Sequence, residues 1–153
     1  MIRFFVPGIP RPGGSKKVFL IQGGPRKGKP IVTDAAGKPN KDWKASVAHE
    51  ASLVCDTPFE AKLPLLIGVD FYLQRPKGHF KPSGLLRSNA PERPTMKPDV
   101  DKLMRPILDA IKGIILSDDS QVVVMMAKKW YATARAGAAI TVLVCTRFPS
   151  EDE

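Results

Sequence analysis

The chain has 153 residues, 43% of them hydrophobic, and its 24 Lys and Arg residues against 15 Asp and Glu give a formal net charge of +9. This length predicts a single domain, residues 1–153, with a sizeable core. No apolar run approaches the roughly 20 residues that a membrane-spanning helix needs, and the segment before Pro7 is too short for the apolar core of a secretory signal. We therefore expect a soluble, cytoplasmic protein.

The cysteine content argues against a disulfide framework or a zinc site. Cys55 and Cys145 are the only cysteines, and they lie in apolar stretches without a Cys-x-x-Cys spacing. This usage predicts two buried, reduced thiols.

The excess positive charge falls largely in Pro- and Gly-rich segments, 7–17, 22–30 and 76–97, which predict basic loops. A nucleic acid, an anionic membrane surface and an acidic protein are all candidate partners of such a chain. The absence of a basic amphipathic helix disfavours the membrane. Solubilising surface charge is the ordinary explanation for any one loop, but the loops together favour a polyanion.

The first half of the chain predicts a strand, a hairpin and a helix. Residues 1–6 are β-branched and aromatic before a Pro-Gly break, and 17–21 and 30–33 can pair as a short hairpin. Asn40 is the expected N-cap of a helix over about 41–54. The apolar stripe of that helix is Trp43, Val47, Ala51 and Val54.

A long strand and a long loop follow. Within 63–73, Val69, Phe71 and Leu73 alternate with polar residues, which predicts one buried face. The stretch 75–98 is rich in proline and basic residues, and a segment of that length is either a functional loop or disordered.

A second helix is predicted over about 102–112, with Gly113 at its C-terminal cap. Pro106 removes one intrahelical hydrogen bond, which predicts a bend in the first turns. Strands over 121–131 and 138–148 then close the fold, and 149–153 is expected to be frayed. The core stripe of the second helix is Leu103, Ile107, Ala110, Ile111 and Ile114.

The order of elements is strand, hairpin, helix, strand, loop, helix, strand, strand. Strands and helices mix without strict alternation. This order predicts an α/β fold (α+β) with a mixed β-sheet and two main helices packed on one side.

Two acidic pairs stand out in this basic chain, Asp99 with Asp101 and Asp118 with Asp119. The first pair is expected to enter the second helix in an extended segment, where residues two apart share a side, with Asp101 at the N-cap. Both carboxylates then lie near the positive end of the helix dipole. A helix of about 11 residues spans about 16 Å, so the second pair can join the first only if the chain reverses.

Oxygen ligands of this kind suit a hard divalent cation such as Mg²⁺. An acidic cluster inside a basic surface then predicts metal-dependent chemistry on a nucleic-acid backbone. Taken singly, each pair is better explained as a helix cap or a turn. The prediction of a metal site therefore depends on the two pairs converging on one cation.

The combined pattern is more specific than either pair. Residues 97–113 (KPDVDKLMRPILDAIKG) followed by 118–122 (DDSQV) resemble the core motif of the RusA family of Holliday junction resolvases. Residues 7–13 (PGIPRPG) resemble the opening loop of that family. The resemblance covers about half of the chain.

This resemblance implies a RusA-like, homodimeric endonuclease, bacterial or phage-encoded, that uses Mg²⁺ or Mn²⁺ to cut four-way DNA junctions by paired symmetric nicks. By position, it implies that Asp99, Asp101 and Asp119 are the catalytic metal ligands and that Asp118 is an accessory ligand. The basic residues that we expect to contact DNA are Arg11, Lys16, Lys17, Lys77, Lys81, Lys97, Lys102, Lys128 and Lys129.

Two positions depart from the family motif. Lys102 replaces an asparagine, and Arg105 replaces the catalytic lysine. Arginine keeps the charge and can hold a phosphate oxygen through two donors, but its pKa above about 12 prevents ready proton transfer. We expect Arg105 to act as a catalytic residue by stabilising charge. Three alternatives stay open: a junction-binding protein with an impaired nuclease site, a nuclease for other branched DNA, and a basic module whose acidic groups are only caps.

Overall fold

The computed structural model describes residues 1–14, 16–34 and 37–146. Two short 3-10 turns, Lys77–His79 and Asp119–Gln121, accompany the main elements. The strands and helices are β1 (Ile2–Pro7), β2 (Lys16–Leu20), β3 (Pro30–Asp34), α1 (Gly37–Val54), β4 (Leu65–Leu73), α2 (Val100–Ile111), β5 (Val122–Tyr131) and β6 (Gly137–Val144).

A mixed four-stranded sheet carries the fold, in the order β1-β6-β4-β5. The central strand β6 is antiparallel to both β1 and β4, whereas β4 and β5 are parallel. Parallel neighbours need a crossover connection, and here the chain between them contains α2. The predicted mixed sheet is confirmed, and β5 forms one of its edges.

Both helices pack on one face of this sheet. Every second residue of β4, from Leu65 to Leu73, is buried in a single core cluster. Trp43 and Val47 of α1 and Leu103 and Ile107 of α2 belong to the same cluster, so the two predicted stripes are largely confirmed. Val54 ends α1 and is 45% exposed, so its assignment to the first stripe was wrong.

The helix starts differ from the predictions. Helix α1 begins at Gly37, because Pro39 is tolerated in a first turn where N–H groups lack intrahelical partners. Asn40 therefore lies inside the helix and is buried rather than capping it. The N-cap of α2 is Asp99, not Asp101, because Asp99 keeps extended geometry after Pro98. Gly113 follows α2 with a positive φ of 81°, as its predicted cap role requires.

Other boundaries moved by a few residues. Strand β4 begins at Leu65, and β6 ends at Val144. The predicted last residues of β6, 147–148, and the tail 149–153 lie outside the described residues. Cys55 and Cys145 are free, as predicted, but half-buried rather than fully buried.

The hairpin β2–β3 is confirmed and forms a separate two-stranded sheet. Its apolar side chains are exposed, unlike those on the helix-covered face of the main sheet. These exposed residues are Val18, Phe19, Leu20, Ile31 and Val32.

Pro106 lies inside α2, and the opening loop compensates for its missing N–H. Without that donor, the carbonyl oxygen of Lys102 has no partner in the helix. Gly13 donates its backbone N–H to this oxygen at 2.7 Å. A Cβ on Gly13 would lie 3.3 Å from Cβ of Arg105 and 3.4 Å from Cδ of Pro106, so the close approach favours glycine. The loop before residue 15 is thereby fastened to the first turns of α2.

Candidate functional site

The first acidic pair lies at the exposed N-terminal end of α2. The Asp99 carboxylate is 3.2 Å from Nζ of Lys102, and the Asp101 carboxylate is 3.9 Å from the guanidinium of Arg105. All four side chains remain about half exposed or more, so these ion pairs are weak and readily exchanged. The positive end of the helix adds a favourable field for the carboxylates.

Lys129 of β5 supports the segment that leads into this pair. Its Nζ donates to the carbonyl oxygens of Met96 at 3.0 Å and Pro98 at 2.9 Å. The ammonium of a predicted DNA contact is thus occupied by backbone acceptors in the free protein. Lys129 holds the residue before Asp99 against the far end of β5.

The second acidic pair lies beyond the other end of α2. Nζ of Lys112, the C-terminal cap residue, is 3.0 Å from the carboxylate of Asp118 and 3.7 Å from that of Asp119. Asp118 also accepts from the backbone N–H of Ser120 at 3.0 Å. The hydrogen bond from the Ser120 N–H holds the pKa of Asp118 well below its ordinary value, and the hydrogen bond from Lys112 lowers it further. The hydrogen bond to Asp118 raises the pKa of Lys112 in turn.

Gln121 fixes the turn that presents this second pair. Its side-chain oxygen accepts from the backbone N–H of Ser117 at 2.8 Å and of Asp118 at 3.1 Å. Its amide nitrogen donates to the carbonyl oxygens of Glu60 at 2.9 Å and Leu63 at 3.3 Å. The buried glutamine of the DDSQV motif therefore has a structural role. The Asp-x-x-Gln spacing of a capping box was the sequence signal for it.

Helix α2 separates the two pairs. Its 12 residues span about 18 Å, with Asp99 before the first residue and Lys112 after the last. Within the described residues, no group of three or more His, Cys, Asp and Glu side chains is placed to hold a metal ion. The expectation that the pairs converge within one chain was wrong. The chain leaves the distal end of α2 as β5, which reaches the Asp99 segment only at Lys129.

The predicted DNA contacts are distributed over the surface. Lys102 is half-buried beside Asp99, and the side chain of Lys16 lies outside the described residues. The exposed members of the set are Arg11, Lys17, Lys77, Lys81, Lys97 and Lys128.

The long loop 76–97 has a defined conformation, anchored by residues that sequence reasoning missed. Arg75 stacks on the ring of Tyr131 at 4.4 Å and donates to the carbonyl oxygen of Pro91 at 2.8 Å. His79 meets the edge of the Tyr131 ring with 5.3 Å between ring centroids. Arg93 lies 3.4 Å above the ring of Trp130.

These contacts join the loop to the end of β5. Trp130 is itself held by a hydrogen bond from its Nε1 to Asp70 of β4 at 2.8 Å. Stacking of arginine on Trp and Tyr is favourable, but no local sequence pattern indicates which arginine meets which ring. The proline and basic residues of 75–98 signalled a loop but not these contacts.

A family model described as Endodeoxyribonuclease RusA matches residues 23–143, a range that contains both acidic pairs. The chain belongs to the RusA family. It is also 30% identical over 138 residues to the uncharacterized protein YqaN of Bacillus subtilis (strain 168), a match that covers 86% of this chain and 88% of that protein.

Membership of the RusA family makes the chain a relative of endodeoxyribonucleases, enzymes that hydrolyse DNA. Its mixed sheet with two helices is compatible with this membership. Among the described residues, no helix has both the length and the apolar character to cross a bilayer.

Proposed function

We propose that this RusA-family protein is a divalent-metal-dependent endonuclease that resolves four-way DNA junctions by paired symmetric nicks. Mg²⁺ or Mn²⁺ is the proposed cofactor, and Asp99, Asp101 and Asp119 are its proposed ligands, with Asp118 as an accessory ligand. The observation that carries the proposal is the exposed carboxylate pair at the start of α2, in a chain matched over residues 23–143 by a DNA endonuclease family.

The donor set at this end of α2 fits a hard cation. Asp99 and Asp101 supply carboxylate oxygens, and their ion pairs with Lys102 and Arg105 are surface contacts that a divalent ion can replace. A metal bound there would polarise the phosphodiester and activate a water molecule. Arg105 then offsets charge on the non-bridging phosphate oxygens, for which its fork of N–H donors is suited.

The third ligand is proposed to come from a second copy of the chain, since α2 holds Asp119 away from Asp99 in one copy. The edge strand β5 supports this assembly. Val123, Met125 and Met126 are each about half exposed on it. A long apolar edge strand is a ready template for pairing with another chain.

Antiparallel pairing of two β5 strands about a two-fold axis near Met125 and Met126 places the start of one strand beside the end of the other. The partner's Asp119, which lies three residues before its β5, then approaches the end of β5 where Lys129 holds Pro98. Each site of the proposed homodimer thus combines Asp99 and Asp101 of one chain with Asp119 of the partner subunit. Two such sites match the two-fold symmetry of an open four-way junction, which gives one nick on each of two opposing strands.

The basic loops provide the other requirement, affinity for the phosphate backbone. Exposed cations such as Arg11, Lys77 and Lys81 carry no carboxylate partner within the described residues, so they are available to phosphates. Binding of this kind is independent of sequence and weakens as salt rises.

A Mg²⁺ titration with a synthetic mobile four-way junction tests this function, scored by strand and compared with a flap and a linear duplex at equal salt. The proposal expects metal-dependent, symmetric nicks in the junction and slower cutting of the other two. Faster cutting of the flap would indicate a nuclease for other branched DNA. Tight junction binding without nicking would indicate an impaired site, the alternative that Arg105 favours because arginine replaces the lysine of the family motif.

A further inference from the structure

A groove of about 810 Å³ opens directly beside Asp99. The loop from Ile9 to Gly14 forms one wall, and residues of the 91–98 segment form the other. Leu73 and Tyr131, at the ends of β4 and β5, complete its lining. This volume lies in the range of small-ligand sites, about 300 to 1,000 Å³.

The walls of the groove are held in place by contacts already present in the free chain. Gly13 donates a hydrogen bond to the backbone of Lys102, and Lys129 donates hydrogen bonds to the backbone of Met96 and Pro98. Arg75 donates a hydrogen bond to the carbonyl oxygen of Pro91, another residue of the groove lining. A site with walls held in this way needs little ordering of the protein when a ligand enters. The prolines that line the groove add rigidity: Pro10, Pro12, Pro76, Pro91, Pro94 and Pro98.

The lining has the chemistry of a nucleobase site. The ring of Tyr131 provides an aromatic surface on which bases of any sequence can stack, and the proline side chains add apolar surface around it. Gln74 and Thr95 provide polar groups for the edge of a base. The cationic residues of the lining, which suit the phosphates attached to such a base, are Arg11, Lys97 and Lys102.

We propose that this groove binds one unpaired nucleobase of the DNA strand whose phosphodiester lies at Asp99. The inference rests on the proposed function, because it takes Asp99 as part of the nuclease site. Bases at the centre of a junction are readily unstacked, and an unpaired base enters a protein pocket at a lower cost than a paired one. Occupation of the groove would align the strand for cutting and let the protein distinguish one base from another next to the cleaved bond.

The test combines a groove-filling variant with removal of single bases from the DNA. Thr95→Trp places an indole in the groove, and Ser83→Trp, an exposed position of the same loop that does not line the groove, is the matched control. Each protein is assayed with an intact four-way junction and with junctions that carry one abasic nucleotide at successive positions around the cleavage point. Junction affinity without metal and nicking with Mg²⁺ are both measured.

For the wild-type protein and Ser83→Trp, we expect one abasic position to lower affinity and nicking by about tenfold, the value of one lost stacking contact. Thr95→Trp should show that loss with the intact junction and no further loss at the same abasic position. Equal sensitivity of Thr95→Trp and Ser83→Trp to base removal would overturn the inference, as would the absence of any sensitive position. Failure of the wild-type protein to nick the intact junction would instead reject the proposed function, while the affinity measurements still test the groove.

Discussion

Gly13 and Lys102 are joined by a 2.7 Å hydrogen bond between the backbone N–H of Gly13 and the carbonyl oxygen of Lys102. The acceptor is the one that Pro106 leaves without an intrahelical donor. The bond therefore couples the opening loop to the helix turn that carries Asp101 and Arg105. One wall of the groove and the first acidic pair are positioned by the same contact.

Gly13→Ala should lower the free energy of unfolding by about 1 kcal/mol, because the new Cβ crowds Arg105 and Pro106 and weakens this hydrogen bond. In a Pro106→Ala background, residue 106 can donate to Lys102 itself, and the cost of Gly13→Ala should fall below about 0.5 kcal/mol. Urea unfolding of the wild type, the two single variants and the double variant measures the coupling between the two positions. Gly23→Ala, at a glycine with open space around it, is the control and should be nearly neutral. An equal loss of unfolding free energy on Gly13→Ala in both backgrounds would show that the Lys102 carbonyl oxygen does not need the Gly13 N–H.

Asp101→Asn and Asp119→Asn should each lower the nicking rate by about 100-fold or more, because each removes a proposed metal ligand. Junction affinity should be kept, since negative charge is removed from a basic surface. When the two variants are mixed and allowed to exchange subunits, nicking should return. A heterodimer of them contains one site with both substitutions and one site with neither.

The mixture of Asp99→Asn with Asp101→Asn is the matched control for this complementation. Both residues come from the same chain in each site, so every heterodimer of these two variants has two damaged sites. Nicking by this control mixture, or no recovery in the first, would contradict a site shared between two chains. The readout is the rate of single-strand nicks in a labelled junction after subunit exchange.

Met125→Arg should separate the proposed dimer into monomers and abolish nicking without unfolding the chain. The substitution places a charge on the apolar edge of β5, which both copies would have to bury. Sedimentation velocity measures the mass, and thermal unfolding checks the fold. Leu53→Arg, at an exposed leucine of α1, is the control and should leave both mass and nicking unchanged. A dimeric, active Met125→Arg protein would reject β5 as the interface.

Arg105→Lys should keep the single-turnover nicking rate within about threefold, whereas Arg105→Met should lower it by about 100-fold. The expectation follows from a role in stabilising charge, which either cation can fill. Lys41→Met, an exposed cation on α1, is the control. A large gain in rate for Arg105→Lys would instead indicate that the position transfers a proton, which arginine performs poorly.

Much of the fold was predictable because its signals are local. The 3.6-residue spacing of Leu103 and Ile107 and the alternation through Val69 and Phe71 each follow from neighbours within one element. The hairpin and Gly113 were likewise indicated by turn residues close in sequence. The first acidic pair and the DDSQV turn were recognisable for the same reason, as short motifs.

The sequence by itself determined the elements, the core stripes and the family motif of this protein. Tertiary structure decided the separation of Asp99 from Asp119, since a rigid helix of 12 residues lies between them and β5 starts at its far end. It also decided the stacking of Arg75 and Arg93 on β5 and the groove beside Asp99, which joins segments about 80 residues apart. Periodicity records which face of an element is buried. It holds no information on which distant side chains meet, because those contacts depend on how complete elements pack.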